Sequence, residues 1–170
     1  MSVSAADRHA SVLPPAEESS EVGYNYRMTA LQAAVGIVQL GRLPAIVARR
    51  REIAARCQDA VASIEGLRAV RDPEHGTGNF QSFWVEVLDG YPTDREGLLE
   101  ALAHADISAR RGIMAAHRQP PYRDLVPEGG LPNTERLTDH TLILPVFHAL
   151  TEADQDRVIA VLRAPASAVS

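Results

Sequence analysis

The chain has 170 residues, 45% of them hydrophobic, which is enough for one modest core and favours a single domain. Its formal charge of -5 provides no basic face for nucleic acid or an anionic membrane, so neither partner is expected. All 17 basic residues are arginine and Cys57 is the lone cysteine, so these residues contain no amine side chain, no disulfide and no multi-cysteine zinc site.

Residues 1–20 mix Ser, Ala, Pro and acidic side chains without apolar periodicity and read as a flexible remnant. From Thr29 onward, Leu31, Ala34, Val35 and Val38 recur at helical steps, and Gly41 interrupts them. Pro44 suits the first turn of a second helix whose face runs through Ile46, Ile53, Cys57, Val61 and Ile64 to a stop at Gly66. Residues 21–66 therefore read as a long, two-part helical region, followed by residues 67–164 and a tail at 165–170 that is expected to fray.

Ser82 to Leu88 alternates Phe83, Val85 and Val87 against Trp84, Glu86 and Leu88, the pattern of a strand. Thr93 and Glu96 have capping-box spacing ahead of a helix over 94–105, and 107–113 reads as a second strand. An irregular stretch then carries His117, Pro120, Pro121 and Tyr122, and loops of this kind often bear function on a rigid frame. Asn133 or Thr134 starts a short helix, 142–146 is a third strand, and Thr151 with Asp154 caps a final helix through Leu162. The order predicts an α/β (α+β) sandwich, a small sheet with its helices packed on one face.

Chemistry-bearing residues are sparse. Arg49, Arg50 and Arg51 are consecutive, so they fan around a helix and read as a solvated face. His75, His104, His140 and His148 have no metal-ligand spacing, and Gly76 and Gly78 flank a turn without forming a phosphate loop. No apolar run reaches the roughly 20 residues of a spanning helix, and no basic-then-apolar leader is visible. A soluble protein in the reducing cytoplasm is expected.

The segment Gly23-Tyr24-Asn25-Tyr26-Arg27-Met28-Thr29, with Leu31-Gln32-Ala33-Ala34 and Gln39-Leu40 after it, resembles the DegT/StrS-type sugar-nucleotide aminotransferases. Arg110-Arg111-Gly112-Ile113, His117, Pro121-Tyr122, residues 142–145 and Leu150-Thr151-Glu152 continue the resemblance in the same order. Met1-Ser2 is similar to the segment just beyond that family's cofactor lysine. The resemblance thus implies the C-terminal part of a fold type I pyridoxal-phosphate enzyme, namely its small domain and connecting helices.

Such enzymes form dimers and move an amino group, commonly from glutamate, to a keto nucleotide sugar. The family's lysine forms the Schiff base with pyridoxal phosphate and shuttles the proton, and arginine, which stays protonated, does not replace it. The resemblance assigns Asn25 to the phosphate of the partner subunit's cofactor, with a turn or cap role as the alternative. It makes Arg27 a candidate for a donor carboxylate or a structural ion pair, and His117 a candidate sugar-nucleotide contact or an exposed loop residue. Two readings follow: a C-terminal fragment inactive alone, or a non-catalytic subunit that gives Asn25 to a lysine-bearing partner in a homo- or heterodimer.

Overall fold

The computed structural model describes residues 23–24, 26–126 and 128–165. By internal contacts the chain divides into two compact units, residues 1–41 and 42–170.

Helix α1, Ala30–Ala62, crosses that boundary in sequence. Its start is a reciprocal cap: Thr29 N–H donates to Gln32 Oε1 at 2.9 Å, and Gln32 N–H donates to Thr29 Oγ1 at 3.2 Å. The predicted break at Gly41 and restart at Pro44 do not occur, for the helix is continuous through both. An interior proline costs about 3 kcal/mol in an ideal helix. The Ala-, Leu- and Arg-rich flanks, all strong helix formers, outweigh it.

One stretch of α1 is long and apolar enough to cross a membrane by length and composition, a test that core helices of soluble proteins also pass. Counting uninterrupted apolar residues misses this stretch, because Gln32 and Gln39 break the run without bringing the average down.

In the second unit the rest of the molecule assembles around a four-stranded antiparallel sheet. The strands are β1 (Leu67–Ala69), β2 (Phe83–Val87), β3 (Arg110–Arg111) and β4 (Thr141–Leu144), in the order β1-β2-β4-β3. Three helices join them: α2 (Arg95–His104), α3 (Pro132–His140) and α4 (Glu152–Arg163). Two 3-10 turns span Ala116–Arg118 and Pro120–Leu125.

The alternation read in 82–88 sorts the faces as expected. Phe83, Val85 and Val87 join Leu142 and Leu144 in the core, against Ile53, Cys57 and Val61 of α1, Leu98 and Leu102 of α2, and Val158 and Leu162 of α4. Trp84 and Glu86 occupy the opposite face. There the short α3 sends Arg136 to Glu86, whose other ion pair is with Arg68. The mixed fold of small sheet and helices, with a long helix ahead of it, is thus the predicted class.

Two local features fix this geometry. Gly66 has φ +77, and a Cβ there would lie 2.3 Å from the backbone N of Tyr91, so only glycine turns α1 into β1. Tyr91 Oη in turn donates to Leu162 O at 2.7 Å, which ties down the end of α4, and burial pushes its phenol up to about 12.

Apart from the unbroken α1 and from α3, which lies on the sheet face opposite the other helices, differences from the sequence reading are confined to short elements. β1 was not expected, because three residues are too few to show an alternation. The second strand shrinks from 107–113 to Arg110–Arg111, since Ile107 turns into the core and Gly112 bonds to the end of β4. The cap of α2 is Asp94, which accepts from Gly97 N–H at 2.9 Å, one residue after the predicted Thr93.

Candidate functional site

The loop that follows β3 is anchored by buried Ala115 and ends at Pro132, which occupies the first turn of α3. Glu135 sits in that first turn and organises the loop. Its Oε1 accepts from Leu131 N–H at 3.3 Å and lies 3.0 Å from His117 Nε2. Arg118 reaches Glu135 Oε2 at 3.7 Å and grips Asp139 with both arms at 2.6 and 2.9 Å. The backbone N–H of Leu131 and then His117 hold the Glu135 carboxyl below the usual carboxylate range. The Arg118 hydrogen bond lowers Asp139 in the same way.

His117 is therefore neither an exposed loop residue nor an open ligand group. Its side chain is 11% exposed, its Nε2 is on Glu135, and its Nδ1 is buried without a partner among the described residues. The carboxylate fixes the ring's orientation, and contact with a ligand would require that bond to open. The loop surface instead presents Tyr122 and Arg123 beside the paired Arg118. Glu135 is the residue the sequence reading missed, because an 18-residue separation across a loop leaves no periodic signal.

Of the two other predicted positions, Asn25 lies outside the described residues. Arg27 is described and exposed. Tyr24 and Tyr26, on either side of position 25, bring their rings to 5.6 Å between centroids.

The arginine triplet departs from the solvated-face reading. Arg49 donates to Leu150 O at 3.0 Å and pairs with Glu52, and Arg51 reaches Asp72 at 2.9 Å, Gly78 O and the face of Phe80. These residues latch α1 to the loops on either side of it. Consecutive residues do fan apart, as expected, but Arg49 and Arg51 meet different pieces of the second unit. Among the described residues no group of three His, Cys, Asp or Glu side chains could hold a metal ion.

The fold and sequence have close counterparts. The aminotransferase TlmJ from Streptoalloteichus hindustanus is 31% identical with a TM-score of 0.75, over 86% of this chain and 39% of its own. A DegT DnrJ EryC1 StrS aminotransferase from Brucella abortus is 28% identical with a TM-score of 0.77, over 88% of this chain and 39% of its own. DesV of S. venezuelae is 26% identical with a TM-score of 0.78, over 89% and 40%. The chain thus spans about two fifths of the length of these structures. Residues 6–163, nearly all of the sequence read as resembling them, match the profile of one family. This chain belongs to the DegT/DnrJ/EryC1/StrS aminotransferase family.

Proposed function

We propose that the chain serves pyridoxal-phosphate-dependent amino transfer to a keto nucleotide sugar as the small-domain part of the enzyme, and that it has no such activity alone. The observation that carries this reading is the family match over residues 6–163 in a chain whose 170 residues contain no lysine. Pyridoxal phosphate supplies an electron sink when it is bound through a lysine amine, and these residues do not provide that amine. In this reading they take on the remaining tasks, which are to contact the cofactor phosphate, the donor and the sugar nucleotide.

In this reading Asn25 donates its amide to the phosphate of a cofactor held by another subunit, Arg27 pairs with the carboxylate of a glutamate donor, and His117 meets the nucleotide sugar. The bond from Glu135 to His117 would then keep the ring parked until substrate arrives. The partner is a lysine-bearing aminotransferase subunit. Its contact would cover the apolar side chains that the first unit exposes, among them Leu31, Ile37 and Leu40 at 77, 73 and 69%. The setting is cytoplasmic synthesis of an amino sugar.

A second reading, a fragment with no remaining role, predicts no stimulation of any partner. To separate the two, the purified chain is mixed with pyridoxal phosphate, glutamate and a 4-keto nucleotide sugar, with and without a family relative whose own phosphate-contacting asparagine has been replaced. Restored turnover that disappears with Asn25→Ala supports the donation of Asn25. Turnover by the chain with no other protein present contradicts the proposal.

A further inference from the structure

The outer face of the sheet is roofed at one end and open at the other. At the roofed end α3 pairs Arg136 with Glu86, and Gly112 lies close enough to Trp84 that a Cβ would come within 2.8 Å of the indole. At the open end lies a cavity of about 380 Å³, lined by Gln81, Ser82, Ser108, Arg110, Ile143 and the chain leaving β4 as far as Phe147. The registers Arg110↔Ile143 and Trp84↔Ile143 put Arg110, Ile143 and, two residues before Trp84, Ser82 on this one face.

The one charged side chain that lines this cavity, Arg110, is a donor. None of its lining residues is acidic. The Arg111 side chain is bound by Glu96, whereas the Arg110 side chain has no hydrogen bond or ion pair with any described residue. Ser82 Oγ donates to Gln81 Oε1 at 3.0 Å, which occupies the amide oxygen and leaves the amide N–H groups to give. Ser108 adds a hydroxyl with no partner among the described residues. A fork of guanidinium N–H groups beside an amide and a hydroxyl suits a group that only accepts, and an oxyanion is such a group.

The remaining walls are apolar. Ile143 and Val146 line them, and Phe147 is 45% exposed at the rim, ready to lie against a ring. The volume falls in the range of small-ligand sites, roughly 300–1,000 Å³.

We propose that this cavity binds a small molecule made of an oxyanion, phosphate or carboxylate, on a compact ring, with Arg110 holding the oxyanion and Phe147 the ring. The site is separate from the His117 loop and does not depend on the amino-transfer reading.

The test is a titration of the full ¹⁵N-labelled chain, followed by amide shifts, with phenyl phosphate, phenylacetate, inorganic phosphate and benzyl alcohol. At least one ring-bearing anion should shift the amides of residues 81–82, 108–110 and 143–147 in saturable fashion. Benzyl alcohol and inorganic phosphate should bind about tenfold more weakly or less, since one charge-assisted bond or one buried ring face is worth about that factor. Tighter binding of phenyl phosphate assigns a phosphorylated ligand, and tighter binding of phenylacetate a carboxylated one.

Arg110→Ala should weaken both anions about tenfold or more, with Arg110→Lys in between, while Arg71→Ala, in another groove, should change nothing. The Arg110 side chain is exposed and makes no internal bond, so these variants keep the fold. Anion binding that is unchanged in Arg110→Ala, shifts that map elsewhere, or no saturable binding by either ring-bearing anion would overturn the proposal.

Discussion

The two halves of α1 differ in composition and in surroundings: residues 30–41 carry no charged side chain, whereas residues 42–62 carry seven. Between residues 42 and 62, Ile53, Ala54, Cys57 and Val61 form one buried stripe, and the arginines beside it are tied to loops of the same unit. Between residues 30 and 41, Leu31, Val35, Ile37, Val38 and Leu40 are all more than half exposed, on every side of the helix. A helix apolar all round is one that a folded assembly buries completely. The first half thus has the composition of a buried segment without the burial, whereas the second carries the amphipathic pattern of a helix on its own core. The chain spans about two fifths of the length of the solved aminotransferases it resembles, and the partner contact proposed above would cover this first half.

Substitutions in the two halves and around the core should separate them by stability. Phe83→Ala empties a fully buried ring site and should cost about 3–5 kcal/mol in chemical denaturation, enough to unfold the second unit. Gly66→Ala should be nearly as damaging, since it adds strain at φ +77 to a backbone clash with Tyr91. Replacing both Arg68 and Arg136 by Met leaves Glu86, 5% exposed, without a counter-charge and should cost about 3 kcal/mol. Either single replacement should cost much less, because the other arginine remains.

Smaller effects follow at the ends of α4. Tyr91→Phe removes the bond to Leu162 O and should cost about 1 kcal/mol, as should Thr151→Ala at the capping box. Val38→Ala, in the exposed half of α1, should leave the denaturation midpoint of the second unit unchanged and reduce only association with a partner.

Acid should weaken the His117 loop and the start of α4 together. Glu135, Asp139 and Asp154 are all held below their ordinary carboxyl values, Asp154 mainly by the Thr151 hydroxyl. Groups with a lowered folded pKa contribute stability that is complete above their unfolded values and is lost as pH falls through the folded ones. Their ordinary values are 4.5 for Glu135 and 3.8 for the two aspartates, so the loss should begin as pH drops below about 5, and the loop amides should show it in a pH-dependent hydrogen-exchange series. Equal protection of this loop at pH 7 and pH 3 would remove the Glu135–His117–Arg118–Asp139 set from the account.

What the sequence disclosed follows from the range of each signal. The strand at 82–88, the Thr151–Asp154 cap and the Gly66 stop are local patterns of period two, three-residue spacing or a single backbone demand, and the structure contains all three. The reciprocal Thr29–Gln32 cap was equally local and marks the start of α1 more sharply than the apolar stripe does. The Glu135 grip on His117, the Arg51 latch on Asp72 and the Arg68–Glu86–Arg136 cluster join residues 18 to 50 positions apart. Long-range pairs of this kind carry no spacing rule, so the candidate site was legible in its residues and not in its geometry. Pro44 shows the converse: its local rule is strong, and the helix formers around it still overrode it.

The proposal that this chain serves an amino-transfer site it does not complete is put to the test by a single-turnover assay. The chain, pyridoxal phosphate, glutamate and a 4-keto nucleotide sugar are incubated with and without a lysine-bearing family relative lacking its own phosphate-contacting asparagine. The chain alone should yield no amino sugar, and the mixture should yield product that depends on Asn25. Product from the chain alone, or a mixture indifferent to Asn25→Ala, would contradict it.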